Sequence, residues 1–388
     1  MATQVESCPS NEEKDAVWKA FAAGKPTRVP LRWNANARIV LLDPALNPEG
    51  ITFEAYFRDP RATLTIQARF QEYVGTVLAK TCDAPVGLPE RWRFAVDNQN
   101  VFDGVTFGGR LVFEDGQVPS VQPGCTYEDA DEFLRRDFSR PLEHPWIRER
   151  LAFRDELVRE AATFSYLGRK GEVAPLAMGF DGPVTALATV FGADGIALLG
   201  AEPDKARALI GKITEAAIVR NRALADMAGG WRPTDEGWLA DDSIQLVSTD
   251  MVRDLALPAY ARWYEQMSTA TRESRRRCIH LCGDATRHFP LLRDALGVYT
   301  FDTGFPVDHG ALRRALGPEA TISGGPAAML LQGGTPTACA EAARAILQSG
   351  VMAGGRFILQ EANNLPPRTP LANLQAVYAA CQEYGRYE

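Results

Sequence analysis

The sequence lacks the signatures of several common enzyme classes. It contains no G-x-G-x-x-G turn after a strand, no phosphate-binding P-loop and no G-x-S-x-G motif. These absences argue against a dinucleotide-binding domain, a P-loop nucleotidase and a serine hydrolase of the α/β type. No run of about 18 apolar residues occurs, so the sequence predicts no membrane span.

An excess of positive charge is also absent. The chain has 42 lysines and arginines against 49 acidic residues, a net charge of −7 and a pI near 5.4. Such a chain has no general attraction to nucleic acid or anionic lipid, and we expect neither as a partner. The N-terminal segment does not read as a signal peptide, and the seven cysteines lack the spacing of a disulfide scaffold. These features predict a cytoplasmic protein with free thiols.

What the sequence does contain is a regular alternation of strand and helix patterns after residue 146. The strand-like segments include "EGWLA", "RCIHL", "VYTFDT", "ATISG" and "GRFILQ", and an amphipathic segment follows each. This alternation is typical of parallel βαβ units. With "RVPLRW" (28–33), "APLAMGF" (174–180) and one strand in the irregular region before residue 145, the strand count approaches eight. The pattern favours an α/β fold of the (β/α)₈ TIM-barrel type over a doubly wound sheet.

The domain organisation follows from the same pass along the chain. We find no internal repeat, no low-complexity segment and no linker. The sequence therefore predicts one domain over residues 1–388, in which residues 1–25 form an N-terminal helical extension. Catalytic residues of such barrels lie at the carboxyl ends of the strands. The polar residues at these ends are Asp241, Asp242, His280, Cys282, Asp302, Ser323, Glu361, Asn363 and Asn364.

Several segments, in order, resemble the superfamily that contains uroporphyrinogen decarboxylases and corrinoid-linked methyltransferases. The most specific are "HLCGD" (280–284) and "PPRTPLANLQAVYAACQEYG" (366–385). "RVPLRW", "GFDGPVTALA" (179–188), "DDSIQLVSTDMVRDLALPAY" (241–260) and "GGTPTACAEAA" (333–343) add to the resemblance. The superfamily fold is a (β/α)₈ barrel with an N-terminal helical extension, which agrees with the strand count above.

The decarboxylase branch matches poorly at its functional positions. The resemblance places two family arginines on Ala35 and Ile39, a family tyrosine on Thr189 and a family histidine on Asn363. Ala35 and Ile39 cannot make the bidentate contacts to carboxylates that arginine makes. We therefore expect that the chain does not decarboxylate uroporphyrinogen itself.

The methyltransferase branch matches better. The resemblance implies a zinc site whose ligands include a His-x-Cys pair, supplied here by His280 and Cys282. Residues two apart on a strand point to the same face, so both side chains can reach one metal ion. Zinc favours such a mixture of imidazole and thiolate, and it lowers the pKa of a bound thiol.

The third metal ligand is open at this stage. The cysteine that the methyltransferase branch uses falls on Asn363, and asparagine is a poor zinc ligand. Glu361, two residues earlier on the same strand face, is one oxygen substitute, and Asp241 or Asp242 is another. We also regard Asp241 and Asp242 as candidate catalytic carboxylates.

The remaining candidates are polar residues expected at the substrate cleft. They are Asn98, Asn100, Asp302 and Asn363. Each of the first two also fits an ordinary turn. His288, on the helix pattern after "HLCGD", is expected at the surface.

Three functions remain open. The first is a zinc-dependent methyltransferase-like enzyme that acts on a small molecule, with a metal-activated thiol as acceptor and a methylcorrinoid protein as donor. The second is a divergent, metal-free decarboxylase or lyase. The third is a non-catalytic protein that binds a corrinoid or a tetrapyrrole. The sequence leaves the oligomeric state open, with a homodimer among the options.

Overall fold

The computed structural model describes residues 8–387. Its helices are α1 (Asn11–Ala22), α2 (Arg38–Leu41), α3 (Phe53–Arg58), α4 (Pro60–Thr76), α5 (Phe102–Thr106), α6 (Ala130–Arg135), α7 (Pro145–Thr163), α8 (Pro183–Phe191), α9 (Ala193–Ala201), α10 (Pro203–Met227), α11 (Thr249–Met251), α12 (Leu257–Met267), α13 (Phe289–Leu296), α14 (His309–Leu316), α15 (Ala328–Gly333), α16 (Pro336–Ile346) and α17 (Leu371–Tyr384). Its strands are β1 (Trp92–Phe94), β2 (Arg110–Val112), β3 (Ser120–Gln122), β4 (Gly171–Val173), β5 (Gly237–Ala240), β6 (Arg277–Leu281), β7 (Val298–Thr303), β8 (Thr321–Gly324) and β9 (Phe357–Leu359).

The chain divides into two compact units. The central unit comprises residues 47–67 and 91–302, and the terminal unit comprises residues 1–46, 68–90 and 303–388. This division does not test the prediction of a single domain over residues 1–388, which stays a prediction. Within the expected N-terminal extension, residues 1–7 lie outside the described residues and α1 supplies the predicted helix.

Parallel strands organise the central unit. β1 pairs with β4 in parallel, and β2 forms an antiparallel ribbon with β3. β5 pairs with β6 in parallel, with Ala240 opposite His280, and β6 neighbours β7 on its other side. The long helix α10 contributes a buried apolar face that includes Leu209, Ile210 and Ile213. The carboxyl ends of β5 and β6 therefore lie beside residues 298–302 of β7 in one unit.

The terminal unit contains a second parallel pair. β8 pairs with β9, with Ser323 opposite Ile358, and Leu31 adds an isolated parallel bridge to Leu359. The helix ends follow from local sequence signals. Ser10 and Glu13 form a reciprocal capping box that begins α1, and the Asp308 side chain accepts the Ala311 N–H at the start of α14. Such caps satisfy the backbone donors that the first turn of a helix leaves unpaired.

The predicted strands differ in how regular they are. Five predicted segments form β5 to β9, and their alternation with helices confirms the α/β class. "APLAMGF" forms no strand, so that prediction is wrong. "RVPLRW" forms only a short parallel pairing with β9, through the bridge between Leu31 and Leu359. Pro30 and Pro175 interrupt these segments, and proline cannot donate a ladder hydrogen bond. Closure of a complete eight-stranded barrel stays an expectation from the resemblance.

Membrane-spanning helices were not expected. In the described part of the chain, no single helix is both long and apolar enough to cross a membrane. The pair α8 and α9 meets that test only when taken together, and it is bent by 117° at Gly192. The cytoplasmic location stays a prediction.

Candidate metal centre

The candidate site is built on the carboxyl ends of β5 and β6. Buried and half-exposed residues alternate along β6, so Ile279 and Leu281 face the interior while His280 lies on the opposite face. Cys282 follows the strand by one residue and stays on the face of His280. Asp242 begins a 3₁₀ turn two residues after Ala240, the register partner of His280. The register of two parallel strands therefore brings residues 40 positions apart to one place.

The side chains of Asp242, His280 and Cys282 converge there. His280 Nε2 lies 3.1 Å from Cys282 Sγ and 3.9 Å from Asp242 Oδ1. One nitrogen, one sulfur and one carboxylate oxygen all lie within 4.8 Å of one another. The backbone N–H of Cys282 also donates to Asp242 Oδ1 at 2.7 Å, which fixes the carboxylate against the "HLCG" segment.

Asp302 completes the surroundings of the histidine. It lies on β7, the neighbour of β6, and its Oδ2 is 2.8 Å from His280 Nδ1. Burial disfavours the imidazolium, but the hydrogen bonds to Asp302 and Cys282 outweigh burial and raise the pKa of His280 to about 11. A metal ion competes with this proton for Nε2, because only the neutral ring nitrogen is a ligand.

Opposing interactions act on the pKa of the Cys282 thiol. Burial raises its pKa, the hydrogen bond with His280 lowers it, and the carboxylate of Asp242 raises it again. The net shift is upward, so the protein alone does not hold the thiolate strongly. A cation bound between these side chains would favour the thiolate directly.

A glycine shapes the turn after the cysteine. Gly283 has φ +67°, in the left-handed region that favours glycine. A Cβ atom at this position would overlap the side chain of Gln245, which belongs to the 3₁₀ turn that Asp242 begins. The "HLCG" glycine is therefore required both by its backbone angle and by the close approach of the turn.

His288 also supports this turn. It is fully buried, so its expected surface position is wrong. Its Nε2 lies 3.0 Å from the Ile244 carbonyl oxygen, and its Nδ1 lies 3.0 Å from Thr249 Oγ1. These contacts join the start of α13 to the turn, about 40 residues earlier in the chain. Nothing in the local pattern around His288 signals such a distant partner.

Asp241, next to Asp242, has different surroundings. It is fully buried, and it accepts the backbone N–H groups of Val184 and Thr185 and the hydroxyls of Thr185 and Tyr260 at 2.7–3.0 Å. Burial raises its pKa to about 6, although these hydrogen bonds oppose the rise. A carboxylate at the N-terminus of α8 also suits the helix dipole. This geometry gives Asp241 a part in fixing α8 to β5, and its catalytic role stays a prediction.

The other predicted residues are placed as follows. Glu361, in the terminal unit, is buried, and its carboxylate accepts the Asn34 N–H at 3.1 and 3.2 Å. Asn363 follows it with φ 111°, an unusual angle for a residue other than glycine. In the central unit Asn98 is buried and Asn100 is exposed. Their roles in ligand or substrate binding stay predictions.

The structure thus brings together four of the predicted residues, Asp242, His280, Cys282 and Asp302. Their chemistry fits zinc, which accepts imidazole, thiolate and carboxylate ligands in one site. Three protein ligands leave one tetrahedral position for a small molecule, as in catalytic zinc sites. The carboxylate on the second ring nitrogen is the usual partner of a metal-bound histidine.

Comparison with known proteins decides the family. The family model described as uroporphyrinogen decarboxylase (URO-D) matches residues 103–384. The chain belongs to the uroporphyrinogen decarboxylase family. The matched region contains every residue of the candidate metal centre, and it confirms the resemblance found in the sequence. No curated protein matches the chain.

Solved structures extend the comparison to nearly the whole chain. This uroporphyrinogen decarboxylase family member is similar to a methyltransferase from Methanosarcina mazei, with a TM-score of 0.64 and 17% sequence identity. The likeness covers 96% of this chain and 98% of the other. At that identity the likeness establishes a shared fold, and the function must be argued from the site.

Proposed function

We propose that this protein is a zinc-dependent methyltransferase-like enzyme. The observation that carries the proposal is the convergence of Asp242, His280 and Cys282 within 4.8 Å of one another in a uroporphyrinogen decarboxylase family chain. These three residues would hold the zinc ion. Asp242 would be the third ligand, a role for which Glu361 was also a candidate from the sequence.

The proposed reaction transfers a methyl group to a thiol. The His-x-Cys pair is the feature by which the sequence resembles the methyltransferase branch, and the fold likeness to a methyltransferase supports the same branch. We propose a methylcorrinoid, carried by a partner protein, as methyl donor. The acceptor would be a small thiol, since the metal ligands leave room for one more donor atom.

The protein's own groups have distinct tasks in this proposal. Zinc supplies a positive charge that lowers the pKa of a bound thiol. Asp302 holds the His280 ring so that Nε2, and not Nδ1, faces the cluster. The hydrogen bond from the Cys282 backbone keeps Asp242 beside the sulfur. The cluster is half-buried, which strengthens these electrostatic interactions relative to fully exposed groups.

Turnover with methylcobalamin tests this function. Zinc-loaded protein is mixed with methylcobalamin and either 2-mercaptoethanol, cysteine or homocysteine, and the methylated thiol is quantified. We expect methyl transfer that Cys282→Ala abolishes and that Cys278→Ala, on the same strand face, retains. Absence of any methylated thiol, or full activity of Cys282→Ala, would contradict the proposal.

A metal-free reaction is the second candidate. Cys282, His280 and Asp302 form a hydrogen-bonded chain, at 3.1 and 2.8 Å, in which a protonated His280 would act as a general acid. Turnover that survives complete chelation would favour this arrangement, including a decarboxylase or lyase that acts on a carboxylated substrate. A spectral shift of cobalamin without any product would instead favour the binding protein.

A further inference from the structure

An exposed tryptophan lies on the strand that leads into the metal centre. Trp238 is on β5, and it is 54% exposed although Gly237 and Leu239 on either side of it are buried. Its indole N–H has no hydrogen-bond partner among residues 8–387. The ring and its donor are therefore both accessible to a small molecule, and such a ring offers a large apolar contact area.

Trp238 shares a face of the sheet with the metal centre. The register pairs Trp238 with Cys278, which is two residues before His280 on β6. Side chains two residues apart on a strand point to the same face. The opposite face of the two strands is buried at Leu239 and Ile279. The indole ring therefore lies on the face of His280, one pair of residues before it.

The backbone of Asp181 is held beside the carboxyl end of β5. A Cβ atom at Gly182 would overlap the Ala240 carbonyl oxygen, so the two segments are in close contact there. The Asp181 N–H donates to Asp103 Oδ2 at 2.8 Å, and Asp103 forms an ion pair of 2.7 Å with Arg220. These contacts fix the position of Asp181 through its backbone and do not use its carboxyl group.

The carboxyl group of Asp181 is unpaired. The residue is half-buried, and among residues 8–387 no hydrogen bond or ion pair reaches its side-chain oxygens, which stay accessible. Burial raises its pKa, and so do the negative charges of Asp103, Asp242 and Asp241, whereas Arg220 opposes the rise. The metal-ligand candidate Asp242 is therefore close enough for its charge to act on Asp181.

These two groups suit a cation. The ion pair with Arg220 already neutralises Asp103, whereas Asp181 has no counter-charge. The negative potential around Asp181 attracts an ammonium group, whose charge in turn favours the carboxylate. The face of a tryptophan ring also attracts ammonium groups. Ala240, beside which Asp181 is held, is two residues and so roughly 6.6–6.8 Å from Trp238 along the strand, a span that suits a short alkylammonium chain.

We propose that Asp181 and Trp238 make the site selective for a small thiol that also bears an ammonium group. This inference rests on the proposed function and names the chemical class of its methyl acceptor. The ammonium group donates to the Asp181 carboxylate, and the alkyl chain packs against the Trp238 ring. Both residues bind the acceptor and take no part in the transfer of the methyl group.

A matched pair of probes without a thiol tests this inference separately from methyl transfer. n-Butylammonium and n-butanol have the same length, and saturation-transfer difference NMR measures their affinities for the full chain. We expect saturable binding of n-butylammonium that is at least about tenfold tighter than that of n-butanol, because only the ammonium group carries a charge. Equal affinities, or no saturable binding of n-butylammonium, would overturn the inference.

Three variants locate the binding. Asp181→Asn keeps the size of the side chain and removes its charge, so the preference for n-butylammonium should fall to near unity. Trp238→Leu removes a ring at an exposed position, and n-butylammonium should bind roughly two- to fivefold more weakly. Asp115→Asn, at an exposed loop position between β2 and β3, is the matched control and should leave both affinities unchanged. A preference that persists unchanged in both Asp181→Asn and Trp238→Leu would refute the site.

Methylation of 2-aminoethanethiol and of 2-mercaptoethanol separates this inference from the proposed function. A higher kcat/KM for 2-aminoethanethiol supports both. Equal kcat/KM values for the two thiols would contradict the inference and leave the proposed function standing. Methylation of neither thiol, together with preferential binding of n-butylammonium, would contradict the proposed function and retain the ammonium site.

Discussion

The Nδ1 atom of His280 lies 2.8 Å from Oδ2 of Asp302, on the neighbouring strand β7. This contact fixes the ring from the side opposite the cluster, so Nε2 is presented to Cys282 at 3.1 Å. A carboxylate in this position both orients a histidine ligand and makes its other nitrogen a stronger donor to a metal. Asp302 therefore acts through His280.

Removing this carboxylate should weaken zinc binding without abolishing it. We expect Asp302→Ala to lower zinc affinity by roughly 10–100-fold, the usual effect of losing a partner of a metal-bound histidine. Competition with a chromogenic chelator measures the affinity. Asp294→Ala removes an aspartate at the surface end of α13 and should leave it unchanged. Equal affinities of wild type and Asp302→Ala would show that the contact does not support the site.

The glycine of the "HLCG" segment should be intolerant of substitution. Gly283→Ala forces a Cβ into the Gln245 side chain and places alanine at φ +67°. The backbone angle alone costs about 1–2 kcal/mol of the free energy of unfolding. Urea denaturation measures the loss. Gln245→Ala in the same chain should recover the part due to overlap, whereas no recovery would assign the whole effect to the backbone.

The strand patterns in the sequence predicted much of the candidate metal centre. Alternation along β6 placed His280 and Cys282 on one face, because the side-chain period of a strand is two. The same reasoning placed Asp242 and Asp302 at strand ends, where the structure has them. These predictions depended on local periodicity, which the sequence displays directly.

The sequence could not predict how the strands pair with one another. The choice of Asp242 and not Asp241 as neighbour of Cys282 depends on the register of β5 against β6. His288 was expected at the surface from its place on the helix pattern after "HLCGD", yet it lies fully buried against the turn at Ile244. Such contacts arise from tertiary packing, for which no signal exists within one segment.

The free energy of unfolding should fall when Asp241 loses any of its hydrogen bonds. Tyr260→Phe removes a donor at 2.7 Å from a fully buried carboxylate, and we expect a loss of about 1–3 kcal/mol in unfolding free energy. The matched control is Tyr264→Phe, since the Tyr264 hydroxyl is also buried but donates to the neutral Cys278 carbonyl oxygen. Its loss should cost about 0.5–1.5 kcal/mol. Identical losses in the two variants would argue against a charged Asp241.

His309 should make stability depend on pH. Burial lowers its pKa to about 4 in the folded chain, and its Nε2 has no partner among the described residues. In the unfolded chain the histidine binds a proton near pH 6.5. The contribution of the neutral, buried His309 to the free energy of unfolding is therefore complete above that pH and is lost as pH falls towards 4. We expect about 3 kcal/mol of wild-type stability to disappear over this window. Chemical denaturation of His309→Asn should show a shallower pH dependence, and parallel curves would contradict the assignment.

The most direct test of the account is elemental analysis of protein purified without chelators. Wild type, Cys282→Ala and Cys278→Ala are measured side by side, with circular dichroism to confirm folding. A zinc site at these residues predicts about one zinc per chain in wild type and in Cys278→Ala, and a large loss in Cys282→Ala. Zinc absent from folded wild type, or retained in full by Cys282→Ala, would contradict a metal centre at Asp242, His280 and Cys282.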